Sequence, residues 1–422
     1  MDMPSAPGSP DGRSARPTAM SRVALDFDRP RRHERSLLRL PPEPRARRRE
    51  ANLFGRRTVA AWKHVDLLLV ACTAAVSALG ALMVLSATRG TDPDIYDTSL
   101  LGKQLLFIGI GVTAMVLVTL VDYRRLRDFA WLPYTIALVL LALVVSPVGT
   151  ERRGSQAWFQ LGAFQLQPAE LAKVFVIFAL ATLLARFPPR MPVRHVGLAL
   201  GVLLLPVTLI LVQPDLGTTL VFVAVAMGTL LVAGAKMRHI VVLTAVGAIV
   251  VMGVLNSDLL EEYQRDRLTV FLDQDQGLRE ETYNLNQSKI AVGSGGTMGK
   301  GLFEGTQTRL GNVPEQHTDF IFTALGEELG FAGSATLLAL FAIICLRVWR
   351  TAQIASDRLG TLICAGVLSM LVFQIFQNVG MTVGIMPITG IPLPLMSYGG
   401  SSVVASWLAI GLVLNVHMRR FG

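Results

Sequence analysis

From residue 65 onward the chain is built of apolar runs of roughly twenty residues, each long enough to cross the hydrocarbon core of a bilayer as a helix. Ten runs are legible, at about 65–87, 104–122, 129–148, 168–185, 195–212, 216–234, 239–255, 319–346, 359–385 and 398–417. Backbone groups in lipid must be satisfied within the protein, so only helices or closed barrels span. These runs lack the apolar-polar alternation of barrel strands, so helices are expected. Charged residues are only 16% of the chain, where a soluble domain averages about 25%. The expected fold is an all-α polytopic membrane protein of about ten transmembrane helices. One large polar loop, 256–318, lies between the seventh and eighth.

Lys and Arg in the short loops set an orientation. Alternate loops carry Arg124, Arg125 and Arg127, then Arg186, Arg190 and Arg194, then Lys236 and Arg238, then Arg347, Arg350 and Arg358, and finally Arg419 and Arg420. The intervening loops are poorer, and the turns after spans five and nine carry none. Both termini are therefore expected on the cytoplasmic side and the large loop outside. Residues 1–62 are a different material, rich in Arg, Pro and Ser, and read as a disordered basic cytoplasmic tail on anionic lipid heads. Residues 63–422 form the membrane domain. The tail has no apolar stretch with a cleavage site, so it is not read as a secretory signal. It supplies much of the net charge of +9, which therefore says little about substrate and does not argue for nucleic acid. Cys72, Cys345 and Cys364 fall inside predicted spans without metal-ligand spacing, as buried inert thiols do. No phosphate-cradling Walker loop is present, which argues against ATP-driven work.

The polar motifs concentrate at one set of helix ends. Gln167-Pro168-Ala169-Glu170 opens span four, and Glu170 and Lys173 share a helix face three residues apart. They read either as an interfacial ion pair or as the charged floor of an external cavity. Gln213-Pro214-Asp215-Leu216-Gly217 precedes span six, where Asp215 can cap the helix or face a ligand. The large loop carries Asp273, Asp275, Glu280, Glu281 and Lys289, then Gly293-Ser294-Gly295-Gly296 and Gly299-Lys300-Gly301, and it ends in Pro314-Glu315-Gln316-His317-Thr318-Asp319-Phe320. Such acids can act as a general base or hold Mg²⁺ or Mn²⁺ through oxygen, and the glycines let backbone approach a ligand. Glu327 and Glu328 lie within an apolar span, which is costly unless they meet a polar cavity or partners. The stretch from Met386 to Ser402, with Ser397 and Ser401, is too rich in Pro and Gly to be helical throughout. It reads as a re-entrant loop.

These motifs, in this order, resemble the RodA/FtsW family, also called the SEDS proteins (shape, elongation, division and sporulation). The resemblance runs from about residue 65 to the carboxyl terminus. Gly299-Lys300-Gly301 and His317 make it more like RodA, the elongation member. It implies polymerisation of lipid II into peptidoglycan strands at the outer face of the bacterial plasma membrane, by inverting glycosyl transfer with an external-loop Asp as base. It further implies a class B penicillin-binding protein as transpeptidase partner, membrane lipids around the spans, and no organic cofactor. Glu170, Lys173, Asp215, Lys289, Glu315, His317, Asp319, Ser397 and Ser401 are the expected substrate-binding residues. One position departs from the family. Its essential Asp precedes by six residues the tyrosine matched by Tyr283, and that place is Gly277 here. A two-residue slip of the loop brings Asp275 to it, with Asp273 next. If neither serves, the chain is a divergent or weakly active member. Two other functions fit a chain of this class, a flippase or transporter of the lipid-linked precursor and a non-catalytic scaffold that activates a transpeptidase.

Overall fold

A computed structural model describes residues 62–88, 98–152, 155–162, 164–189, 191–255 and 280–421. Residues 1–61, and with them the expected basic tail, lie outside the described residues, as do Asp273, Asp275 and Gly277. Eleven longer helices carry the fold: α1 Leu67–Ala87, α2 Ser99–Leu120, α3 Trp131–Val145, α4 Pro168–Ala185, α5 Val193–Val212, α6 Leu216–Val232, α7 Met237–Leu255, α8 Glu280–Ser294, α9 Ile321–Ile354, α10 Arg358–Val383 and α11 Gly400–Met418. Each of the ten apolar runs is helical. Among the described residues seven helices are long and apolar enough to cross a membrane, or eight if the short helix before α3, bent from it by 60°, is counted with it. The remaining two apolar helices, α6 and the described part of α7, are shorter.

Local chemistry sets where the helices start and stop. Asp66, Asp215 and Asp357 cap α1, α6 and α10, accepting from the N–H of Leu69, Thr218 and Gly360 at 3.1, 2.9 and 2.7 Å. Pro168 begins α4, where its missing N–H is harmless. Gly384 ends α10 in the left-handed region, at φ 83°. The most apolar stretch of α11 is 89% buried against 28% for α5, so α11 is the central helix and α5 a peripheral one.

The sequence reading has no strands, yet residues 150–166 form a three-stranded antiparallel sheet: β1 Thr150–Arg152, β2 Ser155–Leu161 and β3 Phe164–Leu166. Seven residues of β2 are too few to register beside twenty-residue apolar runs. The sheet leads directly into α4 and is tied down by Gln156 Nε2, which donates to Ser146 O at 2.8 Å. The segment treated as the large loop also contains regular structure. Helix α8 buries Leu285 and Ala291 against Val313, Phe320 and Ile388, and its Ser288 Oγ donates to Thr382 O of α10 at 2.7 Å.

The end of the bundle made by the start of α1 and the ends of α9 and α11 is closed by charge. Asp66 accepts from Arg347 Nε and Nη2, each at 2.7 Å. His417 Nδ1 lies 3.0 Å from Thr351 Oγ1. Asp357 accepts from Tyr123 Oη at 2.9 Å and Arg124 Nε at 2.8 Å. Arg419 donates to Thr119 O at 2.9 Å and to the Asn415 side chain.

Candidate functional site

At the opposite end, the non-helical segment between α10 and α11 is the point where the polar motifs meet. Its stretch from Leu393 to Ser397 is buried. Asn378 of α10 is fully buried, and its Nδ2 donates to both Ile391 O and Asp319 O at 2.8 Å. Gln377 Nε2 donates to Pro387 O at 2.9 Å. Tyr398 N donates to His317 O at 2.9 Å, and the two rings lie 5.6 Å apart. Gln104 Nε2 of α2 donates to Ser397 O at 3.3 Å. Gly217 lies so close to Thr389 that an added Cβ would be 2.5 Å from its carbonyl oxygen, and Gly80 meets Met396 in the same way. Glu315 and Leu395, non-glycine residues in these motifs, hold positive φ of 51° and 67°. Such backbone persists only where surroundings over-determine it.

The starts of α4, α6 and α11 are joined through Gln167. Its backbone N–H donates to Ser401 Oγ at 2.8 Å, and its Nε2 donates to Asp215 Oδ2 at 3.3 Å. Asp215 also accepts from Thr218 Oγ1 at 2.7 Å, so its helix-capping role is real and does not exhaust its contacts. One turn into α4, Lys173 Nζ donates to Glu170 Oε1 at 2.7 Å, and both residues are buried. A buried pair of this kind is held by mutual need, because either charge alone in the interior is expensive.

The glycine loop after α8 is woven into α9. Gly330 has φ 64° and ψ −158°, which breaks the helix. In an unbroken helix the N–H groups of Phe331 and Ala332 would bond the carbonyls of Glu327 and Glu328. Here those carbonyls accept instead from Lys300 N at 3.0 Å and Gly301 N at 3.1 Å. Phe331 N and Ala332 N turn to Gly296 O at 2.9 Å and Thr297 O at 3.0 Å. Two intrahelical bonds are thus replaced by four bonds between loop and helix. A Cβ on Gly299 or Gly330 would sit 2.0 Å or 2.2 Å from backbone atoms across the join, so only glycine fits. The buried Glu327 carboxylate accepts from Lys300 Nζ at 2.7 Å, the N–H groups of Gln307 and Thr308 at 2.9 Å, and Thr308 Oγ1 at 2.8 Å. Glu328 accepts from Ser86 Oγ of α1. The two glutamates of this apolar run therefore meet protein partners, and Glu327 fastens the loop.

Of the other expected residues, Lys289 lies over the end of α10, where a Cβ on Gly384 would come 2.3 Å from its Cε. A cation suits a helix C-terminus. The Glu315 carboxylate accepts from Thr318 Oγ1 at 3.0 Å. Ser397 is fully buried, and its Oγ accepts from Leu393 N at 2.8 Å. The structure thus links Asp215 to Ser401 through Gln167, and His317, Asp319 and Ser397 to one buried segment. Sequence reasoning missed Gln104, Gln377 and Asn378. Their signal is a polar side chain inside an apolar run. Among the described residues no three His, Cys, Asp or Glu side chains gather to hold a metal ion.

The sequence profile of the cell cycle protein family that takes in FtsW, RodA and SpoVE matches residues 66–421. Stage V sporulation protein E of Bacillus subtilis (strain 168) is 38% identical over 356 residues, which cover 83% of this chain and 96% of that protein. Peptidoglycan glycosyltransferase MrdB of Escherichia coli (strain K12) is 34% identical over 360 residues, covering 85% and 94%. Among solved structures, a chain of a peptidoglycan synthase complex that coordinates polymerization and crosslinking matches with a TM-score of 0.73 at 35% identity, over 85% of this chain and 99% of that one. The match runs through the helices, the woven glycine loop and the buried segment alike, and this chain belongs to the FtsW/RodA/SpoVE family of cell cycle proteins.

Proposed function

We propose that this multi-pass membrane protein is a peptidoglycan glycosyltransferase that polymerises lipid II during cell-wall elongation and shape maintenance. The observation that carries the reading is the meeting of the family's motifs on one buried segment, at the polar-loop end of the helices. Relatives that match over nearly their whole length are named for this activity. Gly299-Lys300-Gly301 and His317 favour the elongation role.

In the reaction the 4-hydroxyl of one sugar attacks the anomeric carbon of another. The new bond is C1–O4, the C1–O bond to the lipid diphosphate breaks with inversion, and the hydroxyl proton goes to a carboxylate. Asp275, or Asp273 beside it, is the proposed base; both belong to the segment outside the described residues. Lys173, paired with Glu170 one turn into α4, is the proposed positive charge for the departing diphosphate. The described residues build no cage for a cation, but Mg²⁺ or Mn²⁺ carried on diphosphate oxygens needs only one or two protein carboxylates. The plasma membrane, with both termini cytoplasmic and the active end outside, is the proposed setting. A class B penicillin-binding protein is the proposed partner, in keeping with the synthase complex among the structural matches.

The test is purified full-length chain in detergent with lipid II alone. Glycan strands resolved by gel are the expected product. Unpolymerised lipid II would sink the reading; its transfer across sealed vesicles would then mark a transporter, and the absence of both activities a scaffold.

A further inference from the structure

The start of α11, like those of α2, α4 and α9, has no side-chain cap, and it differs in the unpartnered hydroxyl beside it. Gly399 is its N-cap, and no side chain caps it. The first intrahelical bond runs from Val403 N to Gly399 O at 3.0 Å, so the N–H groups ahead of it have no acceptor within the helix. Ser401 Oγ does not serve them, because it accepts from Gln167 N. Ser402 is only 6% exposed, and its Oγ has no hydrogen-bond partner among the described residues. That hydroxyl is turned back toward the cap, 3.2 Å from where a Cβ on Gly399 would stand. On the segment that leads into the cap, Ser397 O accepts from Nε2 of the fully buried Gln104, whose Oε1 is also without a partner among the described residues. The Phe107 ring lies against Gly400, 2.6 Å from any added Cβ, so this turn presents bare backbone. Gly399 and Gly400 themselves are half-buried.

Buried polar groups without partners are rare in native proteins and mark a missing ligand, ion or water. A helix start with free N–H groups, a donor hydroxyl and glycine backbone suits an anion, and phosphate above all. We infer that the N-terminus of α11, with Ser402, is a phosphate-binding subsite that takes the diphosphate of a lipid-linked sugar. The inference rests on the proposed glycosyl transfer, in which both reacting sugars carry a diphosphate. It is a place apart from Lys173, which lies six residues beyond Gln167 and so roughly 9 Å along α4. A second place for the other lipid-linked substrate is the one proposed at Lys173.

The test uses Ser402→Asp and Ser402→Ala in the full-length chain, purified in detergent. Aspartate near a helix start favours the helix, so a merely structural role predicts normal or raised thermal stability and unchanged binding. A phosphate subsite predicts repulsion. Binding of undecaprenyl diphosphate, read from its stabilisation of the protein on heating, is expected to weaken about tenfold or more in Ser402→Asp and less in Ser402→Ala. Undecaprenol is expected to show no difference between the variants. Wild-type affinity for undecaprenyl diphosphate in both variants overturns the subsite. Inorganic diphosphate protecting as well as the lipid overturns the lipid-linked assignment. Should Ser402→Asp not fold, Ser402→Ala alone decides. The two proposals fail separately: a chain that binds undecaprenyl diphosphate through Ser402 yet makes no glycan refutes the activity, and one whose Ser402→Asp form polymerises lipid II with unchanged KM refutes the subsite.

Discussion

Asp66 and Asp215 each start a helix by accepting an N–H from three residues on, but they sit at opposite ends of the bundle and in different company. Asp66 is sealed in, and its second oxygen takes two nitrogens of Arg347. Around it Asp357 and Arg419 are likewise saturated by fixed partners from other helices. Asp215 is half-buried and shares its second oxygen with a threonine hydroxyl and the Gln167 amide. At the same end lie Ser402, next in the chain to the Ser401 that Gln167 joins to Asp215, and Gln104, whose buried oxygens have no partner among the described residues. Saturated charge welds helices together. Unsaturated polar atoms beside glycine backbone leave capacity for something that comes and goes. The same residue type thus closes one end of the bundle and, at the other, shares its carboxylate among partners in the proposed site.

Substitutions at the two ends break or sharpen that contrast. The largest loss of activity is expected at Asp275→Asn, which keeps shape but cannot take a proton; general-base removal costs about 10²–10⁴-fold in rate. Lipid II polymerisation should vanish with thermal stability unchanged, while Asp273→Asn costs less and Glu280→Gln and Glu281→Gln little. Activity in all four places the base elsewhere. Arg347→Met is expected to behave oppositely. It strands the Asp66 carboxylate, and losing one partner of a buried pair costs about 3–5 kcal/mol in stability. Folded protein that remains should polymerise at the wild-type rate per molecule, and a specific rate that falls with stability would remove the contrast between ends.

Lys173→Met lies between these cases, since it strands Glu170. Pairing it with Glu170→Gln removes the stranded charge and should recover much of the stability, again on a scale of about 3–5 kcal/mol. If the double variant also recovers activity, the pair is structural; persistent loss at limiting lipid II marks it as part of the site. Asp215→Asn is the mildest. Asparagine caps as well as aspartate, so melting should shift by no more than a few tenths of a kcal/mol. A fall in polymerisation beyond that separates the carboxylate from the cap, and full activity returns Asp215 to capping alone.

The apolar runs fixed most helix positions to within a few residues, and Pro168 and Asp215 start helices where their chemistry says they should. Length and hydropathy carry that information locally. The site was legible as motifs but not as contacts. Gln104 and Ser397 are 293 residues apart, and nothing in either neighbourhood names the other. Glu327 read as an intramembrane charge in need of partners, and its partners lie on a loop whose position only the folded chain sets. The sheet before α4 was hidden because three short strands leave no period comparable to that of the helices around them. The choice between Asp273 and Asp275 turns on loop placement, which sequence spacing does not determine.

The break at Gly330 bears on how the protein is made. Helix α9 has 34 residues, about 51 Å if straight, well beyond the roughly 30 Å of a hydrocarbon core. Residues from Phe331 onward have the length and apolarity to enter the bilayer as they are synthesised, without waiting for the rest. The stretch from Ile321 to Gly330 does not stand in that position. Its two freed carbonyls need Lys300 and Gly301, and the loop in turn needs Phe331 and Ala332. The two halves that meet at Gly330 thus divide between them a span that can enter the bilayer alone and a stretch whose backbone is completed only when the loop docks. A chain inserted but undocked would still be without its working end.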